Sequence, residues 1–380
     1  MPLSIFLTAD LHLGKKFSGY PEVQSLLCEA RFETLGKLIR LANEKDCELF
    51  VVAGDLFDRV SVSRADIIKT INQLKNFQGK LVTILPGNHD FYSDIQREPW
   101  STFLELARDT SNIIFLNKCI PYPLMHYDID AILYPAPCQA KHSEKNALSW
   151  IGDVRKVQEA TYHIGIAHGS LRGFSPDFDE QYYPMTVEEL ISCRLDLWLM
   201  GHTHAQYPEN YEPIRKGTEQ SIFYPGTPEP DGFDCRHEGK AWVLELDDDG
   251  TIHPHSLTTG KYRFIHDEVQ LSEAKDLEEL RNRYHPEEYR RTLLKLSLRG
   301  RLPRDLWEEL PAVINTIKEN LFYLHQPVDK SALMEEITIG DIDREFTGQS
   351  FPHRLLTALA DEGENEALQI AYEMIRELRT

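Results

Sequence analysis

The sequence has few of the features that mark membrane and secreted proteins. It has no apolar run near the roughly 18 residues of a membrane span. The apolar start from Met1 to Ala9 is too short, and lacks the basic leader, for a signal peptide. The six cysteines are scattered without a CxxC pair, which argues against a zinc ribbon or a disulfide framework. We therefore expect a soluble, cytoplasmic protein without a membrane partner.

Positive charge is also scarce. The 380 residues include 41 Lys and Arg against 61 Asp and Glu, a formal net charge of −20. Tight passive binding to nucleic acid depends on clustered cationic side chains, so this charge disfavours it. Nucleic acid stays open as a substrate, because bound divalent ions would neutralise carboxylates locally and a partner subunit could supply positive surface.

Apolar runs and amphipathic stretches alternate in the first part of the chain. Short runs rich in β-branched residues predict strands at 3–9, 49–53 and 81–85, and apolar stripes predict helices at 31–44 and 64–77. This β-α-β-α-β order is typical of an α/β sheet. Further strands are predicted at 113–115, 129–134, 163–167, 195–200, 241–246 and 252–258.

Residues that can bind metal ions follow five of these strands. Two pairs, Asp10-x-His12 and His202-x-His204, have the two-residue spacing that points side chains the same way on an extended segment. The other positions are Asp55, Asn88-His89 and His168. Each alone has an ordinary explanation, such as a turn residue or a core histidine, but together they follow the strand ends where α/β proteins bind ligands.

The mixture of carboxylate, imidazole and amide groups indicates which ions the site would bind. Such ligands suit manganese, iron or zinc better than calcium, and they are too many for one ion. We therefore expect two ions that share Asp55. Pairs of this kind, about 3.5–4 Å apart, hold the attacking and leaving oxygens during displacement at phosphorus.

The ordered set resembles the calcineurin-like metallophosphoesterase superfamily in the motifs Asp10-x-His12, Gly54-Asp55, Gly87-Asn88-His89-Asp90, His168-Gly169 and Gly201-His202-x-His204. Three segments resemble the SbcD-type DNA repair exonucleases, which are nuclease subunits that pair with an SMC-like ATPase. These segments are Ala-Asp-Leu-His-Leu-Gly, Gly-Asp-Leu-Phe-Asp and Gly-Asn-His-Asp. The resemblance covers about residues 1–260, including Tyr224-Pro-Gly226. Beyond it, Thr227–Phe233 departs from the basic residues that often follow in the family.

The resemblance implies an α/β fold, a two-sheet sandwich flanked by helices, with a small α+β capping domain and a helical C-terminal region. One ion would be held by Asp10, His12, Asp55 and His204, and the other by Asp55, Asn88, His168 and His202. His89 would face the leaving group as an acid or transition-state stabiliser. Manganese is the expected metal, with iron or zinc as alternatives. DNA and an SbcC-type ATPase are the implied partners, and a homodimer is left open.

Three regions are predicted: a catalytic domain at 1–265, a capping domain at 266–330 and a helical region at 331–380. The capping domain would be a β-α-β unit with strands at 292–299 and 321–328, and in SbcD-like proteins such a domain guides DNA. A stripe on the last helix favours internal packing over docking of a partner helix. It comprises Leu368, Ala371, Tyr372, Ile375 and Leu378.

The sequence therefore predicts a two-metal DNA exonuclease or endonuclease acting in end processing and repair. The competing prediction is a metallophosphatase or cyclic-nucleotide phosphodiesterase, which would use the same site on a small phosphoester. The added β-α-β unit favours DNA, because a small substrate does not need a guiding surface. A non-catalytic scaffold is disfavoured, because no ligand position is lost.

Overall fold

The computed structural model describes residues 2–154, 160–209 and 212–378. Internal contacts divide the chain into two compact units, Met1–Phe264 and Ile265–Thr380. Among the described helices, none has both the length and the apolar character that crossing a bilayer requires. The division into three regions stays a prediction.

The first unit is built mainly from strands. In chain order these are β1 (Leu3–Thr8), β2 (Leu49–Ala53), β3 (Leu81–Leu85), β4 (Ile113–Phe115), β5 (Tyr122–Pro123), β6 (Ala131–Ala136), β7 (Tyr162–His168), β8 (Leu197–Gly201), β9 (Ile214–Arg215), β10 (Ile222–Phe223), β11 (Lys240–Leu246) and β12 (Thr251–Thr258). The helices are α1 (Gln24–Glu44), α2 (Arg64–Leu74), α3 (Trp100–Ala107), α4 (Ile151–Val154) and α5 (Val187–Ser192), with a 3₁₀ turn at Met125–Tyr127.

Over the described ranges these strands form two sheets. The first has the order β4-β3-β2-β1-β11-β12-β9, parallel from β4 to β1 and antiparallel from there on. The second has the order β10-β8-β7-β6-β5, parallel except for β5. Leu7 and Val51 of the first sheet and Ile164 and Leu199 of the second belong to one buried core. The two sheets therefore pack face to face.

Helices cover the outer faces of both sheets. Phe6 and Phe50 stack with ring centroids 5.2 Å apart and join Leu35 of α1 in a second buried cluster. Met200 of β8 packs with Leu190 of α5 in a third. Strands buried on both faces are expected to be almost entirely apolar, as β2 and β3 are. The predicted sandwich flanked by helices is confirmed.

The bounds of strands and helices could be predicted where the local sequence pattern was strong. The strands predicted at 49–53 and 81–85 have those bounds in the structure, and a capping box of Thr186 and Glu189 opens α5. Helix α1 begins at Gln24 rather than at Arg31. Leu27 and Ala30 extend its buried face toward the N-terminus, which explains the earlier start.

The second unit has its own small sheet. Its strands are β13 (Arg263–Leu271), which begins in the first unit, β14 (Thr292–Leu302), β15 (Tyr323–Leu324) and β16 (Asp329–Glu335). Its helices are α6 (Ala274–Arg283), α7 (Pro286–Tyr289), α8 (Arg304–Asn320), α9 (Ile339–Glu345), α10 (Phe351–Asp361) and α11 (Asn365–Glu377). Alternate leucines of β14 pack against Leu310, Val313 and Ile317 of α8.

The β-α-β unit is present, but the strand predicted at 321–328 is wrong in extent. Only Tyr323–Leu324 pairs with the first half of β14, and β16 pairs with its second half from Ser297 to Leu302. Pro327 lies between the two strands and has no amide hydrogen to donate to a ladder. The boundary expected at residue 330 falls inside β16.

The predicted stripe on the last helix packs mainly inside its own unit. Leu368 and Tyr372 of α11 are buried against Ile342, Phe346 and Leu356. Ala371 and Ile375 lie against this cluster, whereas Leu378 is 86% exposed. Internal packing, the favoured explanation, accounts for most of the stripe. Residues 379–380 of the predicted helical region lie outside the described residues.

Candidate metal centre

The predicted ligands meet where strand ends of both sheets come together. Asp10 and His12 follow β1, Asp55 follows β2 and Asn88 follows β3, all in the first sheet. In the second sheet, His168 ends β7, and the segment after β8 carries His202 and His204. Because the sheets face each other, residues far apart in sequence reach one small region.

One group of side chains contains Asp10, His12 and His204, whose ligand atoms all lie within 4.8 Å of one another. The Nε2 atoms of His12 and His204 are 3.2 Å apart. His204 Nε2 is also 3.9 Å from Asp10 Oδ1. Two imidazole nitrogens and a carboxylate at these separations are suited to hold one cation.

A second group surrounds His168. Its Nε2 lies 3.2 Å from Asp55 Oδ2 and 3.0 Å from Asn88 Oδ1. The same Asn88 oxygen is 3.2 Å from His202 Nδ1. The structure thus brings together all four residues expected on the second ion, although their role as ligands stays a prediction.

The hydrogen bonds of His168 test whether a metal ion fits here. Its Nδ1 lies 2.9 Å from the Ala53 carbonyl and must donate its hydrogen to that oxygen. Burial would lower the pKa of His168, but Asp55 outweighs it and raises the pKa to about 9, so without a metal ion Nε2 also carries a proton. A cation that displaces this proton would meet the Nε2 lone pair together with Asn88 Oδ1 and Asp55 Oδ2. Such a gathering of electron-pair donors suits a metal ion.

Asp55 lies between the two groups. Its Oδ2 is 3.9 Å from His12 Nε2. Asp55 has ligand atoms within 4.8 Å of those of His12 and His89, and it has the same proximity to those of Asp10 and His168. Burial would raise the pKa of this carboxyl, but His168 and His12 outweigh burial and lower it, so Asp55 stays ionised. An ionised carboxylate in this place can contact two cations at once.

The His89 side chain is anchored by one ring nitrogen. Its Nδ1 is 2.9 Å from the Asp58 carbonyl oxygen, so this nitrogen donates and Nε2 remains for chemistry. The His89 backbone N–H donates to Asp55 Oδ1 at 2.8 Å. The His12 and His89 rings lie edge to face, with centroids 4.6 Å apart. These contacts leave His89 able to serve either as an acid or as a ligand.

Two glycines allow the strand ends to approach closely. A Cβ atom on Gly54 would lie 2.0 Å from His168 Nδ1, and one on Gly87 would lie 2.2 Å from Asp55 Oδ1. Both distances are far below van der Waals contact. The glycines of the Gly-Asp and Gly-Asn-His-Asp motifs are therefore required by packing around the candidate ligands.

Two residues that support the site were not assigned a role from the sequence. Asp90 is fully buried and accepts backbone N–H groups from Gly87 at 2.8 Å and Phe57 at 2.9 Å. Arg31 on α1 is buried and donates to the carbonyls of Leu11 at 2.5 Å and Asp10 at 3.3 Å. Two features of the sequence could have indicated these roles. Asp90 lies inside the Gly-Asn-His-Asp motif, and Arg31 is a charged residue within an apolar helical stripe.

The segment Thr227–Phe233, which departs from the family pattern, supplies a third such residue. Asp231 Oδ1 lies 3.7 Å from His204 Nδ1, and Asp231 Oδ2 pairs with Lys15 Nζ. Burial would lower the pKa of His204, but Asp231 and Asp10 raise it. The only sequence signal was an acidic residue soon after Tyr224-Pro-Gly226.

Two sheets that gather carboxylates, imidazoles and an amide at one edge define a metal-dependent hydrolase. A family model described as calcineurin-like phosphoesterase matches residues 3–206, more than half of the chain. The protein therefore belongs to the calcineurin-like phosphoesterases, which use divalent metal ions to hydrolyse phosphoester bonds. The family-level resemblance is confirmed.

Two curated relatives are similar over much of the chain. The first is the uncharacterized metallophosphoesterase YhaO of Bacillus subtilis (strain 168), 26% identical over 293 residues, which cover 74% of this chain and 64% of the relative. The second is the DNA double-strand break repair protein Mre11 of Methanopyrus kandleri, 24% identical over 296 residues. These residues cover 74% of this chain and 60% of the relative. The chain spans less than two thirds of either relative.

A solved structure with a similar fold is TT1561 of Thermus thermophilus, at 12% identity and a TM-score of 0.41. The similarity covers 67% of this chain and 99% of that one. Similarity at this level adds nothing to the choice of substrate.

Proposed function

We propose that the protein is a two-metal-dependent DNA nuclease, an exonuclease or endonuclease that hydrolyses phosphodiester bonds in end processing and repair. The observation that carries the proposal is the gathering of seven candidate ligands, six of them around Asp55, with His89 beside them. The similarity to a relative named as a DNA double-strand break repair protein supports DNA as the substrate.

The chain's own residues divide the work of this reaction. A bound pair of divalent ions supplies Lewis acidity and a clamp for the phosphoryl oxygens. Asp10, His12, Asp55 and His204 would hold one ion, and Asp55, Asn88, His168 and His202 the other, with manganese as the proposed metal and iron or zinc as alternatives. His89 would place a proton at the leaving oxygen through Nε2, because its Nδ1 is held by Asp58.

A pocket beside the site supports a second candidate function. It has a volume of about 680 Å³ and is lined by Phe174, Tyr182, His202 and His204, among others. This volume lies within the range of small-molecule sites. A metallophosphatase or cyclic-nucleotide phosphodiesterase acting on a small phosphoester would use it with the same metal ligands.

An assay of three substrates separates the two candidates. With Mn²⁺ we expect kcat/KM for linear duplex DNA to exceed that for bis(p-nitrophenyl) phosphate and for p-nitrophenyl phosphate by at least about tenfold. That ratio equals about 1.4 kcal/mol of extra transition-state binding from the polymer. A chelator should stop all three reactions. A clear preference for the phosphomonoester, with DNA left intact, would favour the small-substrate enzyme.

We further propose an SbcC-type ATPase as the partner, because the net charge of −20 disfavours tight DNA binding by the chain alone. The candidate docking face lies on α11 and its end, where Ile370, Met374 and Leu378 are spaced four residues apart. They are 59%, 59% and 86% exposed. Residues at this spacing lie on one side of a helix, so they form a single apolar stripe.

Substitution of the exposed stripe tests this partner without unfolding the tail. We expect Ile370→Ser/Met374→Gln to change the melting temperature little, since exposed substitutions usually stay within about 0.5 kcal/mol, and to abolish co-purification with the ATPase. Deleting α10 and α11 is a poorer test, because it removes Leu368 and Tyr372 from a buried cluster. The exposed Glu373→Gln on the same helix is the control. Undiminished binding by the double variant would place docking elsewhere.

A further inference from the structure

Asp231 is a buried carboxylate beside His204, and we propose that it is a positioning residue for metal binding. Its negative charge attracts the Nδ1 edge of the His204 ring. The opposite nitrogen, Nε2, then faces Asp10 and His12. The inference rests on the two-metal site of the proposed function. It does not depend on the substrate, because metal binding can be measured without DNA.

The two nitrogens of the His204 ring have different surroundings. Nε2 lies 3.2 Å from His12 Nε2 and 3.9 Å from Asp10 Oδ1, whereas Nδ1 lies 3.7 Å from Asp231 Oδ1. The Asp231 distance is longer than a hydrogen bond, so the carboxylate acts on the ring by charge. A carboxylate that accepts the other ring N–H of a metal-binding histidine fixes the ring orientation and makes the metal-facing nitrogen more basic. At 3.7 Å, the charge of Asp231 favours the same tautomer, with the hydrogen on Nδ1.

Asp231 is itself held firmly in place. Its side chain is only 4% exposed, and its Oδ2 pairs with Lys15 Nζ. Nearby in the same segment, the Thr227 hydroxyl lies 3.0 Å from the Asp10 carbonyl, and Arg31 donates to the Glu229 carbonyl at 3.2 Å. The segment that carries Asp231 is therefore tied to the β1 loop that carries Asp10.

His237 fixes the backbone of His204 from the same region of the chain. His237 Nδ1 accepts the N–H of Gly239 at 3.1 Å, so Nε2 carries the hydrogen and donates it to the His204 carbonyl. The backbone of His204 is thus held by His237, and its ring is oriented by Asp231. A metal ligand is placed precisely when both its backbone and its side chain are held by neighbouring residues.

Titration of Mn²⁺ into the metal-free full chain tests the inference. We expect the wild type to bind two ions and Asp231→Asn to weaken one of them by about 10–100-fold, the usual cost of losing a partner behind a metal ligand. Asp231→Glu restores the carboxylate and should recover most of the affinity. The melting temperature in chelator should change little in both variants. Wild-type binding constants in Asp231→Asn would overturn the inference.

Lys15 needs its own control, because Asp231→Asn also leaves the Lys15 charge unpaired near the site. If Asp231 acts through His204, Lys15→Gln/Asp231→Asn keeps the loss of affinity. Recovery of wild-type affinity in the double variant would mean that Asp231 only masks Lys15, which overturns the inference. The exposed Asp234→Asn, three residues along, controls for the change in net charge and should bind normally. A wild type that binds no Mn²⁺ would instead overturn the proposed function.

Discussion

Asp55→Asn is expected to abolish phosphodiester hydrolysis and to lower the metal content of the protein. Asp55 lies between the His12 and His168 groups, so losing its charge weakens both ions rather than one. The cost should exceed the roughly 10–100-fold in metal affinity that follows loss of a partner behind a ligand. Activity with limiting Mn²⁺ and elemental analysis of the purified protein should fall together.

The fold of this variant should survive. Asn keeps an oxygen that can accept the His89 N–H, and the substitution removes a charge that repels the buried carboxyls of Asp10 and Asp90. Burial raises the pKa of Asp10, the neighbouring charge of Asp55 adds to this, and His168 and His204 oppose it. Loss of the Asp55–His168 pair costs stability, which the relief of repulsion on Asp10 offsets in part, so the melting temperature in chelator should fall without loss of the fold. Asp109→Asn, an exposed carboxylate, is the matched control. Near-normal activity of Asp55→Asn at limiting Mn²⁺ would exclude a shared ligand.

His89→Asn is expected to separate chemistry from metal binding. The proposed role of His89 is to deliver a proton, so its loss should lower kcat by about 10²–10⁴-fold, the usual contribution of a general acid. Both metal equivalents should remain, because the candidate ligands on each ion are intact. Single-turnover rates and elemental analysis of the same preparation give the two readouts.

The alternative role for His89 is that of a metal ligand. Its ligand atom lies within 4.8 Å of those of His12 and Asp55, so the ring could instead bind the first ion. Loss of one metal equivalent in His89→Asn would establish that role and exclude the acid. The exposed His126→Ala controls for general effects of losing an imidazole and should leave rate and metal content unchanged.

Local sequence signals predicted the first sheet well. The runs Leu49–Ala53 and Leu81–Leu85 are short and almost entirely apolar, and each is followed by glycine or proline, so their bounds did not depend on distant contacts. The convergence of candidate ligands could be predicted because strand ends of an α/β sheet share an edge. Their identity as ligands stays a prediction.

Supporting residues were harder to predict because their roles depend on distant parts of the chain. Asp231 contacts Lys15 across 216 positions, and Arg31 contacts the Glu229 carbonyl across 198. Neither pairing has a period or spacing that a sequence pattern can detect. In the second unit, the strand expected at 321–328 is reduced to Tyr323–Leu324, and a separate strand after Pro327, Asp329–Glu335, pairs with the rest of β14.

Four of the residues around the site have a backbone conformation that most side chains avoid. Their φ angles are 54° for Asp10, 45° for His12, 51° for Asp55 and 100° for His202. Asp, Asn and His enter the left-handed region more readily than other non-glycine residues. If these residues are the proposed ligands, the choice of amino acid at each position is restricted twice, by metal binding and by the turn that the chain must make. A search for distant members of the family should score these two requirements jointly. A residue that can bind metal but disfavours positive φ, or the reverse, is not expected at these positions.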